Sequence, residues 1–236
     1  MRLGSKMDGE LIISNGVKIL YEDNHLIVAV KPAGVLSQSD GSDAPDMLTI
    51  LKAYIKDKYN KPGEVYLGLV HRLDRPVSGV MVFARTSKAA SRLSEQIRTR
   101  KVEKIYRALV QGRLEGTGSL ENYILKDPST NKVTVYDKEV PGAKHAVLEY
   151  RSVQVSDDRS LIEIRLGTGR SHQIRAQFAN AGHPLLGDGR YGNTELWDGD
   201  ICLQSFRLAF DHPTKGERMS FEIPSPECEP WVSVAP

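Results

Sequence analysis

An α+β fold, with a mixed, mostly antiparallel sheet and a few flanking helices, is the architecture this sequence predicts. Three observations carry it. Strand-like runs dominate: "KILYE" 18–22, "LIVAV" 26–30, "VYLGLV" 65–70, "GVMVFA" 79–84, "KIYRALV" 104–110, "KVTVYD" 132–137, "AVLEYRSVQV" 146–155 and "SLIEIRL" 160–166. Several alternate polar and apolar residues over five or more positions, the pattern of a half-buried antiparallel strand. Helical periodicity is confined to three segments, inserted among runs of strands rather than alternating with them, which argues against a regular βαβ winding.

Taken in order, residues 1–17, "MRLGSKMDGELIISNGV", read as an N-terminal leader, partly ordered at best. They hold no apolar stretch followed by a small-residue cleavage site, so secretion is not indicated. Residues 18–236 read as one domain, divided into two lobes by a cleft. The first helix is expected over Pro45–Lys58, with Leu48, Leu51 and Ile55 on one stripe. A second runs from Ser87, read as its N-cap, to Arg98, with Ala89, Leu93 and Ile97 inward and Lys88 and Arg92 outward. The third begins near Ser171 and stops at Gly182, a natural residue to follow a helix end. Loops at 36–46 and 186–200, rich in Gly, Asp and Ser, are the expected mobile segments.

Composition narrows the function. The chain has 236 residues, 40% hydrophobic and 26% charged, ordinary for a globular protein. Its longest apolar runs have strand length, so no membrane partner is expected. Two cysteines, Cys202 and Cys228, lie in no CxxC pair. A disulfide framework or zinc site is not indicated, and a reducing cytoplasm fits. Cys202, alternating with apolar neighbours in "ICLQSFRLAF", reads as a core cysteine. Histidines 71, 172, 183 and 212 lack metal-ligand spacing, and no metal site is expected. The net charge of +2 is unevenly spread: Arg85–Arg107 holds eight basic residues against Glu95 and Glu103, whereas Asn193 to the end holds eight acids and three bases. A basic stripe of this kind suits a phosphate backbone, or simply a solvated helix face.

Two stretches concentrate reactive side chains. In "LVHRLDRPVSGVMVFART", 69–86, Asp74 sits between Arg72 and Arg75 in a Pro- and Gly-punctuated loop between strands. Flanking guanidiniums favour the anionic form, which suits a nucleophile or charge stabiliser and not a general acid. A loop salt bridge is the alternative. In "LGTGRSHQIRAQFANAGHPLLGDGRYG", 166–192, a strand passes through "GTG" into a helix whose first turns carry Arg170, His172, Gln173 and Arg175. Helix dipole, free N–H groups and two guanidiniums make an anion site, for a phosphate or for the chain's own Asp74. The glycines form neither GxGxxG nor a Walker loop, so nucleotide-cofactor binding is not indicated. Tyr106, alternating with Ala108 and Val110, reads as a core tyrosine or as an aromatic platform for a base.

Together these stretches are specific. "HRLDRPVSG" resembles the motif that carries the catalytic aspartate in the RluA family of RNA pseudouridine synthases. "ILYEDNHLIVAVKPAGVLS" (19–37) is similar to that family's opening strands and KPAG turn, "KIYRALVQG" to its tyrosine motif, 166–192 to its basic-residue motif, and "LQSFRLAFDHPTKGERMSFEIPSP" to its closing strands. The resemblance implies the pseudouridine-synthase fold with a central catalytic cleft, and isomerisation of uridine in tRNA or ribosomal RNA without cofactor. Asp74 would sever the uridine N1–C1′ bond, and the uracil would turn and rejoin through C5. Arg175 would pair with Asp74, Tyr106 would stack on the target base, Ile174 would line the pocket, and Arg72 would fill the gap left by the flipped base. His71 and Arg170, beside these motif positions, are assigned to substrate binding with them. Arg85, Lys88, Arg92, Arg98, Arg100 and Lys101 would track the backbone of an RNA stem-loop.

Two departures stand out. Many relatives carry Thr where this chain has Val77, and only about 18 residues precede "ILYED", too few for the S4 RNA-binding domain frequent in the family. The rival readings are a catalytically inactive RNA-binding or chaperone protein on the same fold, and a glycosidic hydrolase, for which no second acid or metal-bound water is evident. The absence of heptads and of an apolar stripe points to a monomer.

Overall fold

The computed structural model describes residues 6–7, 10–192 and 197–233. The strands along the chain are β1 (Lys6–Met7), β2 (Glu10–Ile12), β3 (Lys18–Glu22), β4 (Leu26–Lys31), β5 (Gly68–Leu69), β6 (Ser78–Ala84), β7 (Glu103–Gln111), β8 (Thr117–Asp127), β9 (Lys132–Tyr136), β10 (Lys144–Val155), β11 (Arg159–Leu166), β12 (Leu203–Asp211) and β13 (Arg218–Glu222). The helices are α1 (Met47–Lys58), α2 (Ser87–Arg98) and α3 (Gln173–Asn180). Two compact units result, the first from Met1–Glu103 with Arg207–Ile223, the second from Lys104–Phe206 with Pro224–Pro236.

In the first unit β1, β2, β3, β4 and β6 pair successively, all antiparallel, with β5 also on β6 and β13 on the Arg207–Asp211 part of β12. Leu26, Val28, Val80, Val82 and Ala84 form one core cluster with Ala89 and Leu93 of α2 and Leu208 and Phe210 of β12. The alternate residues Ile27, Ala29, Met81 and Phe83 are equally buried. Burial on both faces explains why β4 and β6 read as continuous apolar runs.

Helix ends follow side-chain chemistry. The Asp46 carboxylate accepts from Thr49 N–H, so α1 starts two residues after the expected Pro45. Its buried set is Met47, Ile50, Leu51 and Ile55, leaving Leu48 half-buried. The cap of α2 is Thr86, whose Oγ1 accepts from Ala89 N–H at 3.1 Å, rather than Ser87. Its end at Arg98 agrees with the periodicity.

In the second unit β7 pairs with β11, β11 with β10, β10 with β8 and β8 with β9, again all antiparallel. The strand β8 is absent from the sequence expectations. Its apolar residues are sparse and most of its side chains are exposed or half-buried, so the periodic signal is weak. The opposite error occurs at 65–70, where only Gly68–Leu69 pair. Helix α3 is shorter than expected because His172 takes a left-handed conformation (φ 51°) that no helix continues through. Cys202 is buried, and burial pushes its thiol up to about 12. The stretch around it is not one-sided: Ile201–Phe206 are all buried.

Within the expected leader, β1, β2 and a 3-10 turn (Ser14–Gly16) are formed; residues 1–5 and 8–9 lie outside the described residues, as do 193–196 of the 186–200 loop. Among the described residues no helix is long and apolar enough to cross a membrane, and no three His, Cys, Asp or Glu side chains group as metal ligands.

Candidate active site

In the first unit, Asp74 is half-buried in the loop that leads into β6. This loop does not stand on its own turn residues alone. Ser37, buried, donates through Oγ to Leu73 O at 2.7 Å and accepts from Leu73 N at 3.0 Å. Gly34 N donates to Arg75 O at 3.0 Å, and the Arg75 guanidinium donates back to Gly34 O at 3.1 Å. Gly34 has φ +80°, which allows the tight return that brings its N–H to Arg75. The segments "KPAGVLS" and "HRLDRPVSG" are therefore one structure, although some forty residues separate them.

Lys31 closes that structure. The side chain is completely buried, and its Nζ donates to Val35 O at 2.6 Å, Arg75 O at 2.9 Å and Pro32 O at 3.0 Å. All three donors of the ammonium are used. Burial lowers its pKa to about 8; the Asp74 carboxylate opposes that shift and the Arg75 guanidinium adds to it. The sequence reading missed Lys31. Its signal was a lysine ending the apolar run "LIVAV" immediately before a proline.

The neighbours of Asp74 divide by role. Arg72 is exposed. His71 accepts at Nε2 from Val82 N–H at 3.0 Å, so its ring caps the β6 backbone. Val77 is buried, so an apolar side chain suits the position. Of the expected RNA-contacting residues, Lys88, Arg92, Arg98, Arg100 and Lys101 are exposed. Arg92 also donates to Pro213 O at 2.7 Å, and Arg98 forms a two-bond pair with Glu95 at 2.7 and 2.8 Å. Arg85 departs from the expected pattern. Its guanidinium is held by Glu22 at 2.9 Å and lies 4.8 Å over the Tyr59 ring, occupied by the fold.

In the second unit, Tyr106 lies buried on β7 and Ile174 buried on α3. The turn before α3 is built on β10. Gly167 N and Thr168 N both donate to Val147 O at 3.1 Å, and a Cβ on Gly167 would stand 2.8 Å from the Val147 side chain, so only glycine fits. Thr168 Oγ1 and Arg170 N donate to Gln173 Oε1 at 2.8 and 3.0 Å, which locks the entry into the helix. Arg170 itself is exposed and donates to His145 O at 2.9 Å.

Arg175 is buried and grips Asp188 with two bonds, Nε to Oδ2 at 2.8 Å and Nη2 to Oδ1 at 2.7 Å. The guanidinium lies 5.3 Å from the Tyr191 ring centre. Tyr191 Oη in turn accepts from Val133 N–H at 2.9 Å and meets His172 Nδ1 at 2.7 Å. Arginine, carboxylate, tyrosine and histidine thus form one network, buried at Arg175 and Asp188 and half-buried at Tyr191 and His172. Asp188 and Tyr191 lie in "GDGRYG", where spacing alone gives neither a part in the site. Charge order alone pairs Arg175 with a distant aspartate as readily as with one thirteen residues along.

The sequence is similar to those of known proteins. The RNA pseudouridylate synthase family profile matches residues 25–180. An uncharacterized RNA pseudouridine synthase of Aquifex aeolicus is 37% identical over 224 residues, covering 89% of this chain and 70% of that protein. The ribosomal large subunit pseudouridine synthase D of Neisseria meningitidis serogroup A is 37% identical, covering 89% of this chain and 58% of its own. Its Pseudomonas aeruginosa namesake is 33% identical, covering 92% and 70%. The chain thus spans between 58% and 70% of the length of these three proteins. In fold it is similar to human RNA pseudouridylate synthase domain containing 4, with a TM-score of 0.74 at 23% identity over 89% of this chain and 88% of that one. With a profile match over well over half its length and relatives above 30% identity, the chain belongs to the RNA pseudouridylate synthase family.

Proposed function

We propose that this protein isomerises uridine to pseudouridine in structured RNA, and that its substrate is large-subunit ribosomal RNA. The observation that carries the reading is the state of Asp74: a carboxylate left half-exposed on a loop whose backbone is fixed on either side by buried Ser37 and Lys31. A fold does not spend such anchoring on an ordinary surface turn; a reactive group needs it. The names of the Neisseria and Pseudomonas relatives support ribosomal RNA over tRNA.

In this mechanism Asp74 acts as nucleophile or charge stabiliser while the N1–C1′ bond breaks. Tyr106 stacks on the uracil, Ile174 lines its pocket, and Arg175 pairs with Asp74. Arg72, exposed, enters the gap left by the flipped base. Exposed Lys88, Arg92, Arg98, Arg100 and Lys101 follow the RNA backbone. Atoms balance without a cofactor, since the N1–C1′ bond is replaced by a C5–C1′ bond, the C5 proton leaves to solvent and N1 takes a proton from solvent.

The test is tritium release from RNA labelled at uridine C5, run separately on unmodified large-subunit ribosomal RNA and on tRNA. Release from the ribosomal pool alone, lost by about 10³-fold or more in Asp74→Asn, is expected. Release from tRNA alone would overturn the substrate, and full activity in Asp74→Asn would overturn the mechanism. Free uracil among the products would point to a hydrolase.

A further inference from the structure

Lys104, at the start of the second unit, has no role in the mechanism above. It sits on β7 two residues before Tyr106, so both side chains leave the strand on the same face, about 6.7 Å apart along it. The Lys104 side chain is half-buried. Its Nζ reaches the "GTG" turn, 3.9 Å from where a Cβ on Gly169 would stand. Among the described residues it has neither a hydrogen bond nor an ion pair. Every other buried or half-buried cation named above has partners: Lys31 its three carbonyls, Arg85 its glutamate, Arg175 its aspartate.

We propose that Lys104 is a binding site for a phosphodiester of the RNA next to the target uridine. This rests on the reading that the protein binds RNA. The strand spacing between Tyr106 and Lys104 is comparable to the separation of a base from the phosphate of its own nucleotide, so a base on the tyrosine brings an anion to the ammonium. Without RNA, the ammonium is partly desolvated and uncompensated. Burial lowers its pKa, so holding the proton costs the folded state free energy at neutral pH. A group kept at that cost, with no partner among the described residues, is one that awaits a ligand. An oxygen of the uracil ring offers the same kind of acceptor without the full charge, and the experiment separates the two.

The full chain is titrated with an unmodified transcript of large-subunit ribosomal RNA over a range of salt concentrations, as wild type, Lys104→Met and Lys104→Arg. Lys104→Met is expected to weaken binding roughly tenfold and to lower the slope of log affinity against log salt by about one. Lys104→Arg should restore the slope, because the charge returns. Thermal unfolding supplies the second readout: Lys104→Met should melt no lower than wild type, since an unpaired ammonium has been replaced by an apolar chain. Weaker binding with an unchanged salt slope would assign the lysine to a neutral acceptor such as uracil and overturn the phosphate site. A lower Tm with unchanged binding would assign it to the fold, and absence of RNA binding by wild type would also overturn it. A Lys104-dependent slope in a protein that forms no pseudouridine would leave this site standing and remove the catalytic reading instead.

Discussion

Lys31 in the first unit and Arg175 in the second are both buried cations beside residues assigned to the reaction, and they are satisfied in opposite ways. Lys31 is held by three backbone carbonyls, which supply dipoles but no compensating charge. Arg175 is held by a carboxylate, which supplies both. The first arrangement leaves a positive charge in place, whose field Asp74 feels. The second leaves a planar group fixed in direction with its charge largely balanced. Carbonyl dipoles suit a cation that must hold a loop in place. A bidentate carboxylate suits a guanidinium that must be aimed.

The comparison can be broken by removing the partners. The largest effect is expected from Asp188→Asn, which removes the charge of the carboxylate that grips the buried Arg175 guanidinium. Loss of a buried pair in this way costs about 3–5 kcal/mol. That corresponds to a Tm drop of roughly 6–20 °C for a chain of this size. A drop of only a degree or two in a calorimetric scan would mean that Arg175 finds its main support elsewhere.

Lys31→Met is expected to cost less, about 1–3 kcal/mol, because carbonyls are left unpaired but no charge is stranded. Its pH signature sharpens the contrast. The folded-state pKa of Lys31 is about 8, below the usual lysine value of 10.5. Between those values the unfolded chain binds more protons at this position than the folded one, so its contribution to stability rises with pH across that window. Urea unfolding from pH 7 to pH 10 should show that rise in wild type and not in Lys31→Met. An identical pH profile for the two proteins would remove Lys31 as a protonated anchor.

The smallest effect is expected from Tyr191→Phe, which keeps the ring beside Arg175 and deletes only the hydroxyl bonds to His172 and Val133 N–H. About 1 kcal/mol is expected in chemical denaturation. A loss as large as that of Asp188→Asn would show that the hydroxyl network, rather than the ion pair, carries the arginine.

Much of the fold was legible because its signals are local. The strands β3, β4, β6, β7, β10 and β11 and the helix α2 coincide closely with runs read from periodicity alone. The misses share a cause. In β8 neither face is deeply buried, so alternation carries little hydrophobic contrast. Residues 65–67 are apolar without being paired, because Val65 and Leu67 are buried outside any ladder. At α3 the backbone of His172, set by the turn packed on Val147, outweighed the favourable start at Ser171.

For the candidate site, the sequence by itself determined where the candidate groups stand. Asp74 in a punctuated loop, Tyr106 on a strand, Arg175 at the head of a helix and a basic stripe that includes α2 follow from residue type and spacing, whereas their proposed roles follow from the family resemblance. What only the tertiary structure decided was partnership. Glu22 captured Arg85 from 63 positions away, the Arg75 carbonyl was bonded by Lys31 from 44 positions away, and Asp188 gave Arg175 a two-bond carboxylate partner. Lys104 was left with no partner among the described residues. The physical reason is that backbone preference and amphipathic pattern act over a few residues, whereas the cost of burying a charge is settled by whichever group the fold brings within hydrogen-bond reach.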